Sequence, residues 1–590
     1  MNPVLRRLRS FRLDREFVPY LVLAAVALGM RLWDLGSRAI SHDESLHVFY
    51  SWGLSQGNGY EHDPMMHGPF QFLGNALNFL IFGDSDFTAR LLPALFGAAL
   101  VLLPFFLRRY LGRWGGIAVA VLLAFSPTML YFSRYARNDI YIAFWTLLLV
   151  ICLWRYIAER RARYLYIGAA ALSLSFCTKE VSYITVAIFA SFLLIVAGKG
   201  LAARVRKKLD LSGLSAPAEY LIFIGTLALP LFGAFIGLIP GVDLAPGVVT
   251  WHKVLTVVLL LVVSAAIGLR WSVRRWLLSA LIFYGIFALF YTTYFTHIPG
   301  FGSGIWESAD YWIEQQEVAR GGQPWYYYLM LLSFYEFLPL ALAAVGAIYF
   351  TIKGDLFSRF LVYWAALSLI LYSIFGEKMP WLSVHMALPA ILLGGKLIGR
   401  LFQEVNWRRM RACALRAVAA LVLIFLFSFT VHVALNTSYQ EDDEPVEMLV
   451  YAGISSDVPQ IMAEIETVAE ETGEGKDLMV TVDFELTWPW AWYLRDYNIE
   501  YSNLGSIDHP PAGTVVLLFA GNEEAARPYL EEYGEGQRFH QLLWFPEEYR
   551  DFDIFASDSW RWWWHYFLDR TTLGPYWSSE GIAYFPRGTP

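Results

Sequence analysis

Residues 41–47 read Ser-His-Asp-Glu-Ser-Leu-His, which sets the carboxylates Asp43 and Glu44 side by side with His42 and His47 close to them. Two kinds of chemistry suit such a group. A carboxylate partly withdrawn from water at a membrane surface accepts a proton from an attacking hydroxyl, a contribution of ~10²–10⁴ in rate. Alternatively, Asp, Glu and His hold a divalent metal ion beside a phosphate, with Glu44, His47 and Asp139 as the candidate ligands. Ser41 followed three residues later by Glu44 also has the spacing of a capping box, which would fix the carboxylates rigidly without excluding either chemistry.

Cations occur in separate short stretches: Arg90, then Ser133-Arg-Tyr-Ala-Arg-Asn-Asp139, Thr178-Lys-Glu180 and Gly376-Glu-Lys-Met-Pro-Trp381. A leaving phosphate gains negative charge as its bond breaks, and fixed cations stabilise it. Arginine grips phosphate with a planar fork, whereas lysine acts as a point charge. The candidates rank Arg137, Lys179, Arg90, Lys378, Arg134. Arg134 and Arg137 also suit snorkelling at a span end. Asp139 reads as the ion-pair partner of Arg137 ahead of a metal ligand, and His385 as a buried hydrogen-bonding histidine ahead of a catalyst. Gly394-Gly395-Lys396 lacks the other residues of a phosphate-binding loop, and Gly300, Gly302 and Gly304 follow a membrane span rather than a strand. Nucleotide chemistry is therefore unsupported, and a donor must arrive already activated, as a lipid-linked phosphate.

These residues have to be positioned by a membrane body. The chain has 590 residues, of which 57% are hydrophobic and 16% charged, and its mean hydropathy is +0.43. A soluble protein usually carries about 25% charge, so soluble-enzyme, coiled-coil and nucleic-acid-binding classes are excluded. Stretches of ~20 apolar residues cross a bilayer. Thirteen are predicted, at 18–35, 87–107, 115–132, 139–156, 164–178, 181–197, 218–239, 252–269, 276–295, 326–350, 357–375, 381–402 and 413–435. Alternate loops, beginning with 1–17, hold 28 Lys and Arg, and the opposite loops hold eight: Arg38, Arg90, Arg134, Arg137, Lys179, Lys253, Arg320 and Lys378. That asymmetry predicts a cytoplasmic N-terminus and puts the chemistry-bearing stretches outside. Cys152, Cys177 and Cys413 form no disulfide framework.

Net charge splits the chain in two. Residues 437–590 carry 29 acidic against 8 basic groups, while residues 1–436 carry 23 against 37. The expected architecture is a polytopic α-helical body (1–436, with a long outer loop 36–86) and an extracytoplasmic acidic α/β domain (437–590). In that domain 477–486 and 513–520 read as strands and 488–496 and 522–533 as helices. Trp560-Arg-Trp-Trp-Trp564 suits glycan binding, a membrane surface or packing on the body. In the loop 296–325, Trp306, Tyr311 and Trp312 suit stacking on a sugar or acyl chain, with an interfacial helix over 306–319 as the plainer reading.

An Asp-Glu pair in the first outer loop resembles the signature of GT-C glycosyltransferases, in particular the dolichyl-phosphate-mannose protein mannosyltransferases and the aminoarabinose-to-lipid-A transferases. His62-Asp-Pro-Met-Met-His67-Gly-Pro-Phe70 is similar to their His-Pro-Pro-Leu-like stretch, Phe87-Thr-Ala-Arg-Leu to their second-span start, and Ser133–Asp139 to their Arg…Asp segment. With Thr178–Glu180 and Gly376–Trp381, residues 15–435 most resemble the flippase activity-associated proteins of archaeal and bacterial glycosylation clusters. The resemblance implies sugar transfer from a polyprenyl-phosphate donor to a protein, lipid or glycan acceptor outside the plasma membrane, with inversion. It implies Asp43 as general base and Glu44 as its support or a metal ligand. His42, His47, His62, His67, Asp139, Glu180 and His385 become supporting residues, and the extra histidines leave metal dependence open. A lipid-linked oligosaccharide flippase and a non-catalytic accessory subunit are the alternatives; internal repeats of the transporter kind are missing from the sequence.

Overall fold

A computed structural model of the protein describes residues 15–206, 211, 213–238, 250–318, 321–404, 410–506 and 510–588. Arg320 and parts of the basic loops 1–17, 199–208 and 396–416 lie outside them. Among the described residues, eight helices are long and apolar enough to cross a membrane, or nine if the bent pair Tyr327–Tyr335 and Phe337–Lys353 is one span. Val18–Leu32, Phe70–Phe82 and Arg113–Phe125 are shorter apolar helices.

Four predicted spans depart from separate straight rods, for local reasons. The stretch 326–350 bends by 111° at Glu336. The buried Glu336 carboxylate accepts from Thr128 N at 3.1 Å and from Ser126 Oγ, which caps helix Pro127–Phe132, and Pro339 removes a donor from the following first turn. The stretch 115–132 breaks at Ser126, extended because Pro127 follows. The predicted spans 252–269 and 276–295 form one helical run, Trp251–Tyr291, interrupted at Ser272 (φ −166°, ψ 105°). Ser264 Oγ and, at 3.0 Å, Trp276 Nε1 both donate to Thr226. A straight helix would separate those two donors by about 18 Å, so the chain reverses at Ser272. Gly268 permits the reversal, since a Cβ there would lie 2.1 Å from the Trp276 ring.

The loop 36–86 is largely helical, as His42–Ser55 and Phe70–Phe82. The loop 296–325 holds helices Gly300–Ile305 and Glu307–Val318.

The C-terminal domain is built on a six-stranded sheet of order β1-β5-β6-β4-β2-β3, with β1 Gly453–Ile454, β2 Met479–Asp483, β3 Asn498–Ser502, β4 Val515–Phe519, β5 Gln537–Trp544 and β6 Trp577–Tyr584. β2 runs parallel to β3 and β4, and the remaining pairs are antiparallel. The two predicted strands are β2 and β4, neighbours buried almost throughout. β3, β5 and β6 are more exposed and correspondingly more polar. The predicted helix 522–533 shrinks to Glu523–Ala526 and a further turn, while 488–496 is realised as Thr487–Tyr493.

Two contacts seat this domain on the membrane body. Trp492 Nε1 donates to Asp86 Oδ1 at 2.8 Å and Arg495 Nε to Asp84 Oδ2 at 2.7 Å, while helix Thr487–Tyr493 packs on His42–Ser55. At the second, the Trp-rich helix Ser557–Asp569 lies on Phe334 and Phe337 (ring centroids 5.5 Å to Trp563 and 5.4 Å to Phe567). Here buried Glu447 accepts from Arg570 Nε at 3.1 Å, from Thr437 Oγ1 at 3.0 Å and from Tyr335 OH. Glu447→Ala leaves Arg570 without its carboxylate, and breaking a buried pair costs about 3–5 kcal/mol. The expected outcome is a clearly lower thermal midpoint with faster proteolytic release of the C-terminal domain.

Candidate active site

Helix His42–Ser55 begins with the capping box the spacing predicts: Ser41 Oγ accepts from Glu44 N, and the Glu44 carboxylate accepts from Ser41 N at 3.1 Å. That carboxylate is also gripped by Arg90, from Nε to Oε1 and from Nη2 to Oε2, each at 2.7 Å. It accepts from Ala136 N at 2.7 Å and from Arg38 Nη2 at 3.5 Å. Burial alone would push Glu44 up, but Arg90 and Arg38 outweigh it and hold the carboxyl at about 2. Glu44 is therefore a permanent anion committed to anchoring the loop.

Arg90 is committed as well. Its remaining N–H groups donate to the carbonyls of Leu35, Arg38 and Ala39 at 3.3, 2.7 and 2.9 Å, which accounts for all five guanidinium donors. Arg134 donates to the carbonyls of Met30, Arg31, Trp33 and Asp34 at the end of helix Val18–Leu32. Both arginines were ranked for phosphate binding; the structure corrects this, because backbone carbonyls and Glu44 occupy their donors.

Asp43, one position before Glu44 on the helix, faces a different set. Its Oδ2 lies 3.1 Å from Arg137 Nη1, and both side chains are buried. Arg137 stacks on Trp381 at 3.8 Å from the ring centroid and reaches His67 Nε2 at 3.5 Å. His67 Nδ1 lies 2.7 Å from Glu180 Oε2. Lys179 Nζ also sits near Trp381, 5.9 Å from the ring centroid, and donates to both oxygens of Asp139 at 3.0 Å. His385 Nε2 meets Asp139 Oδ1 at 2.9 Å. Asp139 is thus the partner of Lys179 and His385, not of Arg137. Two cations from separate stretches, Arg137 and Lys179, meet at one indole; sequence does not single out Trp381 beyond its place at the end of the Gly376–Trp381 motif.

His67, Lys179 and Glu180 line a narrow cleft with Trp312, Gln316, Tyr372, Phe375 and Glu377. Among the candidate aromatics of loop 296–325, Trp312 reaches it, whereas Trp306 is buried beside Lys253. Lys378 donates to the Phe375 carbonyl at 2.7 Å next to the cleft. His47 Nδ1 lies 2.8 Å from the Asp43 carbonyl and its ring stacks on Phe72. Burial, reinforced by Arg137, pulls His47 down to about 3, so it is neutral and braces the helix turn that carries Asp43. His62 turns away, 2.6 Å from Ser303 Oγ, and burial pulls it down to about 3 as well. His42 occupies the first turn of the same helix, half-buried.

The proposed metal set does not assemble. Glu44 is bound by arginines, Asp139 by Lys179 and His385, and His47 points to a carbonyl. Among the described residues no group of three or more His, Cys, Asp or Glu is arranged to hold a metal ion.

Residues 66–215 match the sequence family described as dolichyl-phosphate-mannose-protein mannosyltransferase. No curated protein matches the chain by sequence. The fold is similar to that of the archaeal oligosaccharyltransferase AglB from Archaeoglobus fulgidus, in its complex with an inhibitory peptide and a dolichol-phosphate. That likeness has a TM-score of 0.52 at 13% identity and covers 90% of this chain and 74% of the other. The apo form of the A. fulgidus oligosaccharyltransferase gives 0.51 at the same identity and coverages. ArnT from Cupriavidus metallidurans bound to undecaprenyl phosphate gives 0.49 at 15% identity, over 88% of this chain and 97% of that one. Over residues 66–215 the chain is thus similar in sequence to that family, and its overall fold is similar to that of the archaeal oligosaccharyltransferase.

The His67–Glu180 contact yields a pH signature. Burial raises Glu180 from 4.5 to about 7, and burial with Lys179 and Arg137 lowers His67 well below 6.5. A raised acid favours the folded state most below its unfolded pKa and loses that stability as pH rises through its folded pKa; the lowered His67 loses stability as pH falls below 6.5. Glu180→Gln imitates the protonated acid. It is expected to raise the thermal midpoint relative to wild type at about pH 8, with the difference fading towards about pH 5. A difference independent of pH would contradict the assignment.

Proposed function

We propose that this chain is a GT-C superfamily glycosyltransferase that transfers a sugar from a polyprenyl-phosphate-linked donor to an acceptor on the outer face of the plasma membrane, with Asp43 as the general base and inversion at the anomeric carbon. The observation that carries this reading is the Asp43–Arg137 pair, set beside Lys179 around Trp381. A proton acceptor and two cations suited to phosphate gather around one indole, next to the cleft that Lys179 lines. The charge asymmetry of the loops supports an outward-facing site.

In the step proposed, Asp43 takes the proton of the acceptor hydroxyl or amide while its heteroatom bonds to the anomeric carbon. The anomeric carbon–phosphate oxygen bond breaks on the opposite side, and its electron pair stays on the phosphate. Arg137 and Lys179 stabilise the charge that collects there. An ammonium carries three donors, and Lys179 spends two on Asp139. Trp381 fixes the Arg137 plane, and a cation desolvated on an indole gains ~2 kcal/mol. The acceptor enters beside helix Glu307–Val318, whose Trp312 and Gln316 line the cleft. A transporter needs ionisable groups near the bilayer midplane; here they cluster where spans begin, which favours transfer over flipping.

Asp43→Asn is expected to lower transfer by ~10² or more, far beyond what its lower thermal midpoint accounts for, whereas Glu44→Ala is expected to act mainly by lowering the midpoint. The measurement pairs product formation from a defined polyprenyl-phosphate sugar with thermal unfolding of the same preparations. Full activity in Asp43→Asn would remove Asp43 from the base role.

A further inference from the structure

A basic cavity lies at the far ends of the helices that build the site. Helix Ser383–Glu404 carries His385 at the cleft and Arg400 fifteen residues later, about 22 Å along its axis. There, the ends of Pro104–Leu111, Phe337–Lys353 and Ser383–Glu404 enclose a cavity of about 260 Å³. Four cations line it, Arg109, Lys353, Lys396 and Arg400, against one carboxylate, Asp355.

That carboxylate is already engaged. Asp355 Oδ1 accepts from Ser358 N at 2.8 Å, capping helix Leu356–Ile374, and from Lys396 Nζ at 3.2 Å. Lys396 is buried and also donates to the Tyr110 carbonyl at 2.9 Å. Arg109, Lys353 and Arg400 are exposed around the opening, with Arg400 Nε 3.4 Å from Tyr349 OH. The opposite wall is closed by a tight approach: at Gly112 (φ +78°) a Cβ would lie 2.3 Å from Gln403 Nε2. The rim is apolar and faces outward, with Ile352, Leu401 and Phe402 all exposed. Basic residues that only snorkel towards headgroups need no enclosed space behind them. A concave basic pocket between span ends, bordered by apolar surface, has the chemistry of a headgroup site.

We infer that this cavity binds the phosphate of an anionic lipid, with Arg109, Lys353 and Arg400 on the phosphate oxygens and the acyl chains over the Ile352–Phe402 rim. The site is separate from the sugar-transfer reading, and its test involves no turnover.

Purified full-length protein in mild detergent is titrated with phosphatidylglycerol, phosphatidylcholine or inorganic phosphate, and bound ligand is counted by native mass spectrometry. Phosphatidylglycerol is expected to bind about tenfold more tightly than phosphatidylcholine, a gap of about 1.4 kcal/mol. The double variant Lys353→Gln, Arg400→Gln, at two exposed positions, is expected to abolish that preference with the thermal midpoint unchanged. The single variant Arg109→Gln, on a different helix, is expected to weaken it. Inorganic phosphate that competes as well as phosphatidylglycerol would keep the phosphate chemistry and overturn the lipid assignment. Equal retention of the two lipids, or a preference surviving in both variants, would overturn the site.

Discussion

The buried carboxylate of Glu44 is the interaction on which the site depends. An unpaired charge at that depth would be costly, and a paired one is tolerated only if its hydrogen-bonding capacity is met. Glu44 meets this condition by collecting donors from the start of its own helix, from Arg38, from Arg90 and from the Ala136 backbone. One anion therefore ties together the loop 36–86, the span that begins at Asp86 and the turn before Asp139. Because Arg137 follows Ala136 in that turn, the bond that secures Glu44 also sets the height at which Arg137 meets Asp43. Neighbouring carboxylates thus divide their work by direction: Glu44 faces Arg90, which holds the fold, and Asp43 faces Arg137.

The C-terminal domain extends the same constraint. Trp492, Tyr493 and Arg495 reach back to Asp84, Asp86 and the Ile40 backbone, bracing the segment that leads into the Asp43 helix. At the other end of the domain, Glu447 and Arg570 lock the Trp-rich helix onto the bent segment at Glu336. A domain placed this way braces the loop that carries Asp43 against the membrane body.

Much of this was legible in the residues. Hydropathy reveals the membrane body, the charge split near residue 437 reveals the domain, and Ser41 with Glu44 announces the helix start. Asp43, Arg137 and Lys179 can be named as candidates from their types and neighbourhood, and the fold brings them together around Trp381. The uses of Arg90 and Arg134 cannot, because sequence shows a charge but not the carbonyls that absorb it. The partner of Asp139 was mistaken for the same reason: nearness in sequence favoured Arg137, while the fold brings Lys179 and His385 from distant turns. Trp381 was hidden among 23 tryptophans, since an indole declares its role only when cations are seen on its faces. The bend at Glu336 was missed because an apolar window averages over one buried acid. In the sheet, β2 and β4 were readable as apolar runs, whereas the more exposed β5 and β6 carry a weaker pattern.

The account stands on where the donor phosphate sits. An experimental structure of the protein in a lipid nanodisc with a non-transferable polyprenyl-phosphate sugar analogue would locate it directly. The account predicts phosphate oxygens within about 3.2 Å of an Arg137 or Lys179 nitrogen, with the anomeric carbon on the Asp43 side of the cleft. A phosphate bound away from Trp381, with Asp43 still closed on Arg137 and no sugar beside it, would contradict it.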